Sequence, residues 1–122
     1  MSEFKLDSFW ASEAKEHKDV AEKTFATLQG EFAQMLDICE AAIKSGNKIM
    51  FFGNGGSASD AQHLATELAV RYVNDREPIA ALSLSTDTSA LTAIGNDFGF
   101  EYLFSRQVEA IGRKGDVAIG IT

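Results

Sequence analysis

A chain of 122 residues, 45% hydrophobic and 24% charged, is long enough for one folded core and too apolar for a disordered segment. Its formal net charge of −7 argues against a nucleic-acid or anionic-membrane surface, both of which need basic patches. A small anionic ligand stays open, because a single turn can be positive within an acidic protein.

One cysteine, Cys39, allows no disulfide within these residues and fits a reducing, cytoplasmic setting. The early acidic residues Glu3 and Asp7, with no apolar run after them, do not read as a signal peptide. No apolar run reaches bilayer-spanning length.

Residues 8–45 read as helix in two segments, with apolar side chains recurring at three and four (Phe25, Leu28, Phe32, Met35, Leu36, Cys39, Ile43) and a candidate break at Gly30. Alternating charges from Glu13 to Lys23 make a solvated outer face, on which His17 is a surface residue. Phe9 and Trp10 need something to cover them, and a partner subunit is the expected cover. Cys39 reads as core rather than nucleophile. Ser45-Gly46-Asn47 is a helix stop, so residues 1–46 form an N-terminal helical segment and 47–122 a second region.

The chain is organised around Lys48 to Tyr72. Ile49, Met50, Phe51 and Phe52 form an unbroken apolar run that suits a parallel strand covered on both faces. Gly53-Asn54-Gly55-Gly56 makes a tight turn, whose glycines let a ligand approach backbone N–H groups. Ser57, Ser59 and Asp60 supply first-turn chemistry for a helix expected to run to Tyr72. A helix N-terminus attracts anions, so a phosphate or carboxylate site is expected at this turn. On the same helix His63 and Glu67 are spaced i, i+4, and Arg71 continues the row. Such a pair can share a divalent metal, or place a carboxylate base beside an imidazole. On spacing alone an ordinary hydrogen-bonded surface pair is the plainer reading.

After a polar loop to Pro78, Ile79–Leu84 reads as a second strand and Ala90–Ile94 as a short helix. Asn96 and Asp97 fall in a glycine-flanked turn; they suit a ligand's hydroxyls, or turn formation alone. Glu101–Ile111 reads as amphipathic helix and Val117–Thr122 as a third strand. The alternation predicts an α/β fold with a parallel sheet and ligands beyond the C-terminal strand ends, on the rim that holds Asn54, Ser85 to Asp87 and the end of the third strand. A chain ending at such a rim, on a three-stranded sheet, reads as part of a longer enzyme. One rival is a dinucleotide site: Gly53, Gly55 and Ala58 fit a loose G-x-G-x-x-A, with Asp87 as a distant ribose acid. That reading leaves His63 and Glu67 without a role.

The motifs FGNGGSASDAQH, then Glu67 and Arg71-Tyr72, then GNDFG and GRKGDV, occur here in one order. In that combination the chain resembles the phosphoheptose isomerases of the sugar isomerase (SIS) domain class. The resemblance implies a three-layer α/β/α fold with a five-stranded parallel sheet, of which three strands are present here, and a homotetramer. It implies interconversion of sedoheptulose 7-phosphate and D-glycero-D-manno-heptose 7-phosphate through an enediol, leading to the ADP-heptose of lipopolysaccharide. Residue by residue it assigns Asn54, Gly55, Gly56 and Ser57 to substrate, with Ser57 near the phosphate. It makes His63 and Glu67 zinc ligands, with Glu67 also the base, and gives Asn96 and Asp97 to sugar hydroxyls. Thr122 takes the first position of a phosphate-binding Ser/Thr loop, where Ser is usual. The remaining zinc ligands and the acid are expected in sequence not included here, and little activity is expected of the 122 residues alone. The resemblance also admits a second reading, a non-catalytic SIS module that binds a sugar phosphate or an initiator protein.

Overall fold

The computed structural model describes residues 4–122. They divide into two compact units, the first ending at Asp37 and the second running from Ile38 to Thr122.

The first unit holds α1 (Leu6–Thr27) and the start of α2 (Gln29–Lys44). The break falls at Leu28 rather than at the expected Gly30, which lies inside α2. The hydroxyls of Thr24 and Thr27 bond back to the carbonyls of Val20 and Lys23, a habit that bends helices, and Leu28 then leaves helical torsions. Lys15–Asp19 and Lys18–Glu22 are exposed i, i+4 pairs that add little stability. No residue of α1 is buried; Phe9, Trp10, Phe25, Leu28 and Phe32 are all exposed.

The second unit is built on a three-stranded parallel sheet in the order β2-β1-β3. The strands are β1 (Ile49–Gly53), β2 (Ala81–Ser83) and β3 (Val117–Ile121). In register, Ile49 lies beside Ala81 and Val117, and Gly53 beside Ile121. As the central strand, β1 is buried on both faces, which is why its apolar run does not alternate. On one face Ile49 and Phe51 pack on Ala61 and Ala65 of α3 (Gly56–Ala69), with Cys39 and Ile43 of α2 alongside. The small side chains of α3 let helix and strand approach closely. The opposite face carries Phe52, whose ring lies 5.0 Å from that of Phe104. Gly120 of β3 leaves room for the Phe52 ring, 3.0 Å from where a Cβ would stand.

Several element boundaries differ from the sequence reading. The second strand is only three residues long; Ile49 N–H donating to Ala80 O and Leu84 N–H donating to Phe51 O extend its pairing by single bonds at each end. Helix α4 (Thr88–Asp97) starts earlier and ends later than expected, because the Asp87 carboxylate accepts from Ala90 N–H as its N-cap. Asn96 and Asp97 therefore lie in the last helical turn, not in a free turn. The expected amphipathic helix splits into a 3-10 turn at Phe100–Tyr102 and α5 (Ser105–Ile111).

At the N-terminal ends of β1 and β3 a polar clamp joins the strands. The Asp116 carboxylate accepts from Lys48 Nζ and N–H, Asn47 Nδ2 and Arg113 N–H. Its side chain is only 4% exposed and fully partnered. The Lys48 ammonium holds Asp116 well below the usual carboxylate range, helped by the three N–H donors and opposed by burial.

Candidate functional site

The opposite, C-terminal ends of the strands carry the turn from β1 into α3. Ser57 N–H donates to Asn54 O at 3.0 Å and Ala58 N–H to Gly55 O at 3.1 Å, closing the turn. Gly55 takes φ +58°, a left-handed conformation that favours glycine. Gly53 is required for another reason. A Cβ there would stand 2.7 Å from Ser57 Cβ and 2.8 Å from Ile121 O.

No side chain caps α3, although Ser57, Ser59 and Asp60 suggest one in the sequence. Gly55 is the N-cap instead, and the N–H groups of Gly55 and Gly56 donate no hydrogen bond among the described residues. The start of a fourteen-residue helix is thus left with free donors and the positive end of its dipole.

Two shallow hollows flank this turn. One, of about 390 Å³, is lined by Asn54, Ser57, Phe104 and Thr122 among others. The other, of about 370 Å³, is lined by Asn54, Gly55, Ser85 and Thr92 among others. Ser85 Oγ donates to Gly53 O at 3.1 Å, tying the loop after β2 to the turn. Four of the expected substrate residues, Asn54, Gly55, Ser57 and Thr122, line these hollows, with Gly56 next to them in the chain. Asn96 and Asp97 line neither; both are exposed at the end of α4, where Asn96 Nδ2 donates to Asp97 Oδ1 at 2.7 Å.

His63 and Glu67 lie further along α3. His63 Nε2 and Glu67 Oε1 are 2.9 Å apart, as the i, i+4 spacing requires. Glu67 Oε2 makes no hydrogen bond among the described residues. The pair lines a third hollow of about 540 Å³ with Leu64, Tyr72, Arg76 and Ile79. From Ser57 to Glu67 is ten residues, about 15 Å of helix. The described residues therefore do not gather the phosphate-side and carboxylate-side groups into one hollow.

The donor set also bears on a metal. Imidazole nitrogen and carboxylate oxygen are both zinc ligands, and around a tetrahedral ion they would stand roughly 3.4 Å apart. The observed 2.9 Å needs only a small opening. Two ligands are present of the three or four that zinc takes. Among the described residues no group of three or more His, Cys, Asp and Glu gathers to hold a metal ion.

Arg71 does not continue the row. The helix ends at Ala69, and no ion pair involves Arg71 among the described residues. Arg76, which the sequence reading passed over, takes the helix end instead. Its guanidinium donates to the carbonyls of Glu67 at 2.6 Å and Leu68 at 2.9 Å. Asp87, the acid of the dinucleotide reading, is engaged as the cap of α4. Cys39 packs against the core, and burial pushes its thiol pKa up, so it is no activated nucleophile.

A parallel sheet with an open glycine turn at the end of its central strand, leading into a helix that carries a His–Glu pair, defines an α/β domain whose open helix start suits an anion. Residues 14–122 match the SIS domain family, and the chain belongs to it. It is 52% identical over 118 residues to the phosphoheptose isomerase of Paramagnetospirillum magneticum, covering 97% of this chain and 62% of that protein. It is 54% identical over 111 residues to the phosphoheptose isomerase of Helicobacter hepaticus, covering 91% of this chain and 56% of that one. The structure of phosphoheptose isomerase GmhA from Neisseria gonorrhoeae superposes with a TM-score of 0.88 at 41% identity, over 97% of this chain and 61% of that one. A phosphoheptose isomerase from Francisella tularensis gives 0.92 at 28% identity, over 98% of this chain and 62% of that one. The chain thus spans about three fifths of the length of these relatives.

Proposed function

We propose that these residues form the substrate-binding and base-bearing part of an aldose–ketose isomerase acting on a heptose 7-phosphate, interconverting sedoheptulose 7-phosphate and D-glycero-D-manno-heptose 7-phosphate. The observation that carries this reading is a single helix, α3, with an open glycine N-terminus at one end and the His63–Glu67 pair toward the other. The similarity to phosphoheptose isomerases across nearly the whole chain supports the substrate class. Entry to ADP-heptose and lipopolysaccharide synthesis, in the cytoplasm, goes with that substrate.

The phosphate docks at the turn, on the N–H groups of Gly55 and Gly56 and the hydroxyls of Ser57 and Thr122. Asn54 contacts the sugar beside it, and Asn96 and Asp97 bind its hydroxyls. Glu67 takes the proton from the carbon beside the carbonyl, and the same proton equivalent returns to the neighbouring carbon. One C–H bond breaks and another forms, one O–H proton passes from the hydroxyl on the first carbon to the carbonyl oxygen on the second by way of the enediol, and no external oxidant is needed. Glu67 Oε1 faces His63 while Oε2 is free to receive the proton. Zinc, held in part by His63 and Glu67, would supply positive charge to the enediolate oxygen when bound. The 15 Å between the two ends of α3 calls for further residues to close the site.

The uncovered apolar side chains of the first unit support assembly into a homotetramer. Thr24, Phe25, Leu28, Phe32 and Met35 line a concave apolar surface of about 620 Å³.

The test is an isomerase assay on a protein of full family length containing these residues. Turnover is expected, with Glu67→Gln lowering kcat by about 10²- to 10⁴-fold, the range for a lost general base. Near-normal turnover by Glu67→Gln would refute the assignment. Tight sugar-phosphate binding with no turnover by the parent protein would favour the regulatory module.

A further inference from the structure

We infer that Arg76 is a positioning residue that holds the last turn of α3, and with it Glu67, in place for proton transfer; the inference rests on the reading of Glu67 as base. The last carbonyls of a helix have no partner inside it. In α3 the carbonyl of Thr66 accepts from Val70 N–H, but those of Glu67 and Leu68 are left over. Arg76 reaches back nine and eight residues to meet them. Nη2 donates to Glu67 O at 2.6 Å and Nη1 to Leu68 O at 2.9 Å, so the planar fork spans two successive carbonyls. Nη1 also donates to Glu77 O at 2.9 Å, which fixes the guanidinium to its own loop. Ile79 N–H donates to Leu68 O at 3.1 Å, tying the same turn to the segment entering β2.

The arrangement is specific in three respects. The guanidinium bonds the main chain of Glu67 itself, not a neighbour two turns away. Its charge sits at the negative end of the α3 dipole, where a cation is favoured. Arg76 is half-buried and lines the same hollow as His63 and Glu67, so its contacts are partly shielded from water. Without the fork, the end of α3 frays into the loop 70–78, and the Glu67 side chain loses its fixed origin.

The test compares Arg76→Ala and Arg76→Lys with the parent and with Glu67→Gln, in the active protein of full family length. Arg76→Ala is expected to lower kcat by roughly ten- to a hundredfold while KM stays within about twofold, since substrate still docks at the far end of α3. Arg76→Lys keeps the charge but not the fork and should fall between parent and Arg76→Ala. Added guanidinium chloride at tens of millimolar, against an equal concentration of sodium chloride, should restore part of the kcat of Arg76→Ala and none of that of Glu67→Gln. A kcat for Arg76→Ala within twofold of the parent overturns the inference; if that variant does not fold, the same result for Arg76→Lys overturns it. A parallel rise in KM, with no rescue, also overturns it, since that is the signature of general loosening. Should Glu67→Gln keep its turnover, the base assignment itself fails, whatever Arg76 does.

Discussion

Replacing Gly53 by alanine tests whether the β1–α3 turn is held by packing rather than by backbone torsion. The new Cβ would meet Ser57 Cβ at 2.7 Å, Ile121 O at 2.8 Å and Ser57 O at 2.9 Å. Favourable non-bonded contact begins near 3.5 Å, so all three are overlaps of more than half an ångström. Two of the three atoms are backbone oxygens, one in the first turn of α3 and one at the end of β3, and neither can rotate away. Relief requires the turn to move off β3. Overpacking of this kind costs about 1–3 kcal/mol, and the loss of unfolded-chain freedom on Gly→Ala returns up to about 1. A net loss near 1–2 kcal/mol lowers the melting temperature of a unit this size by roughly 5–15 °C. Gly56→Ala is the control: nothing lies within 4 Å of its Cβ and the residue is already helical, so it should hold or raise the melting temperature. Thermal unfolding followed by circular dichroism at 222 nm reads both. A Gly53→Ala protein melting within about 2 °C of the parent would show that the turn is free to shift and that close packing is not what demands glycine there.

The Asp116 clamp predicts a pH dependence. Because its folded pKa is depressed, its stabilising contribution is complete above the ordinary carboxylate value near 4 and is lost as pH falls below it. Asp116→Asn should therefore melt lower than the parent at pH 7, with the gap narrowing below pH 4; a gap independent of pH would contradict the charge argument. Phe25→Ser with Phe32→Ser should shift the protein to a smaller assembly in sedimentation velocity while leaving the circular dichroism spectrum unchanged. An unaltered sedimentation coefficient would remove the apolar face from the interface. Cys39 should react with iodoacetamide more slowly than free cysteine at pH 8, because it is half-buried and its thiol pKa is raised; alkylation as fast as that of free cysteine would contradict its packing against the core.

Much of the second unit was legible because its signals are local. An unbroken apolar run followed by glycines marks a central strand and its turn, and Ile49–Gly53 is where that strand lies. The His63–Glu67 contact follows from helical spacing alone. What escaped the sequence reading depends on groups brought together from a distance. Arg76 could not be found by periodicity, since its partners are carbonyls eight and nine residues earlier that are exposed only because α3 stops at Ala69. Arg71 was placed on the helix by the same missing information. Asn96 and Asp97 sit between glycines and so read as a turn, yet the Asp87 cap starts α4 early enough for the helix to run through them. A signal for Arg76 was available in part: an arginine in the polar loop just past a helix is a candidate for its orphan carbonyls.

The two ends of the sheet divide the work between stability and function. At the N-terminal ends of β1 and β3, the Asp116 carboxylate is fully taken up by Asn47, Lys48 and the Arg113 N–H. At the C-terminal ends the polar groups are left open: an uncapped helix start, a left-handed Gly55, and a hydroxyl at Thr122 on the rim of the same hollow as Ser57. Open donors and an unscreened helix dipole reduce stability, since capping one helix would contribute about 1 kcal/mol. Gly55 is exposed with nothing within 4 Å of a Cβ, so space does not forbid a side chain there; its backbone does, since φ +58° with ψ −124° is a combination that glycine alone adopts readily. Asparagine tolerates positive φ only in the left-handed helical well, where ψ is also positive, so the ψ of −124° here excludes it as well. The fold itself therefore demands glycine at the turn, and the same bare backbone leaves the amides of Gly55 and Gly56 uncapped and open to an anion.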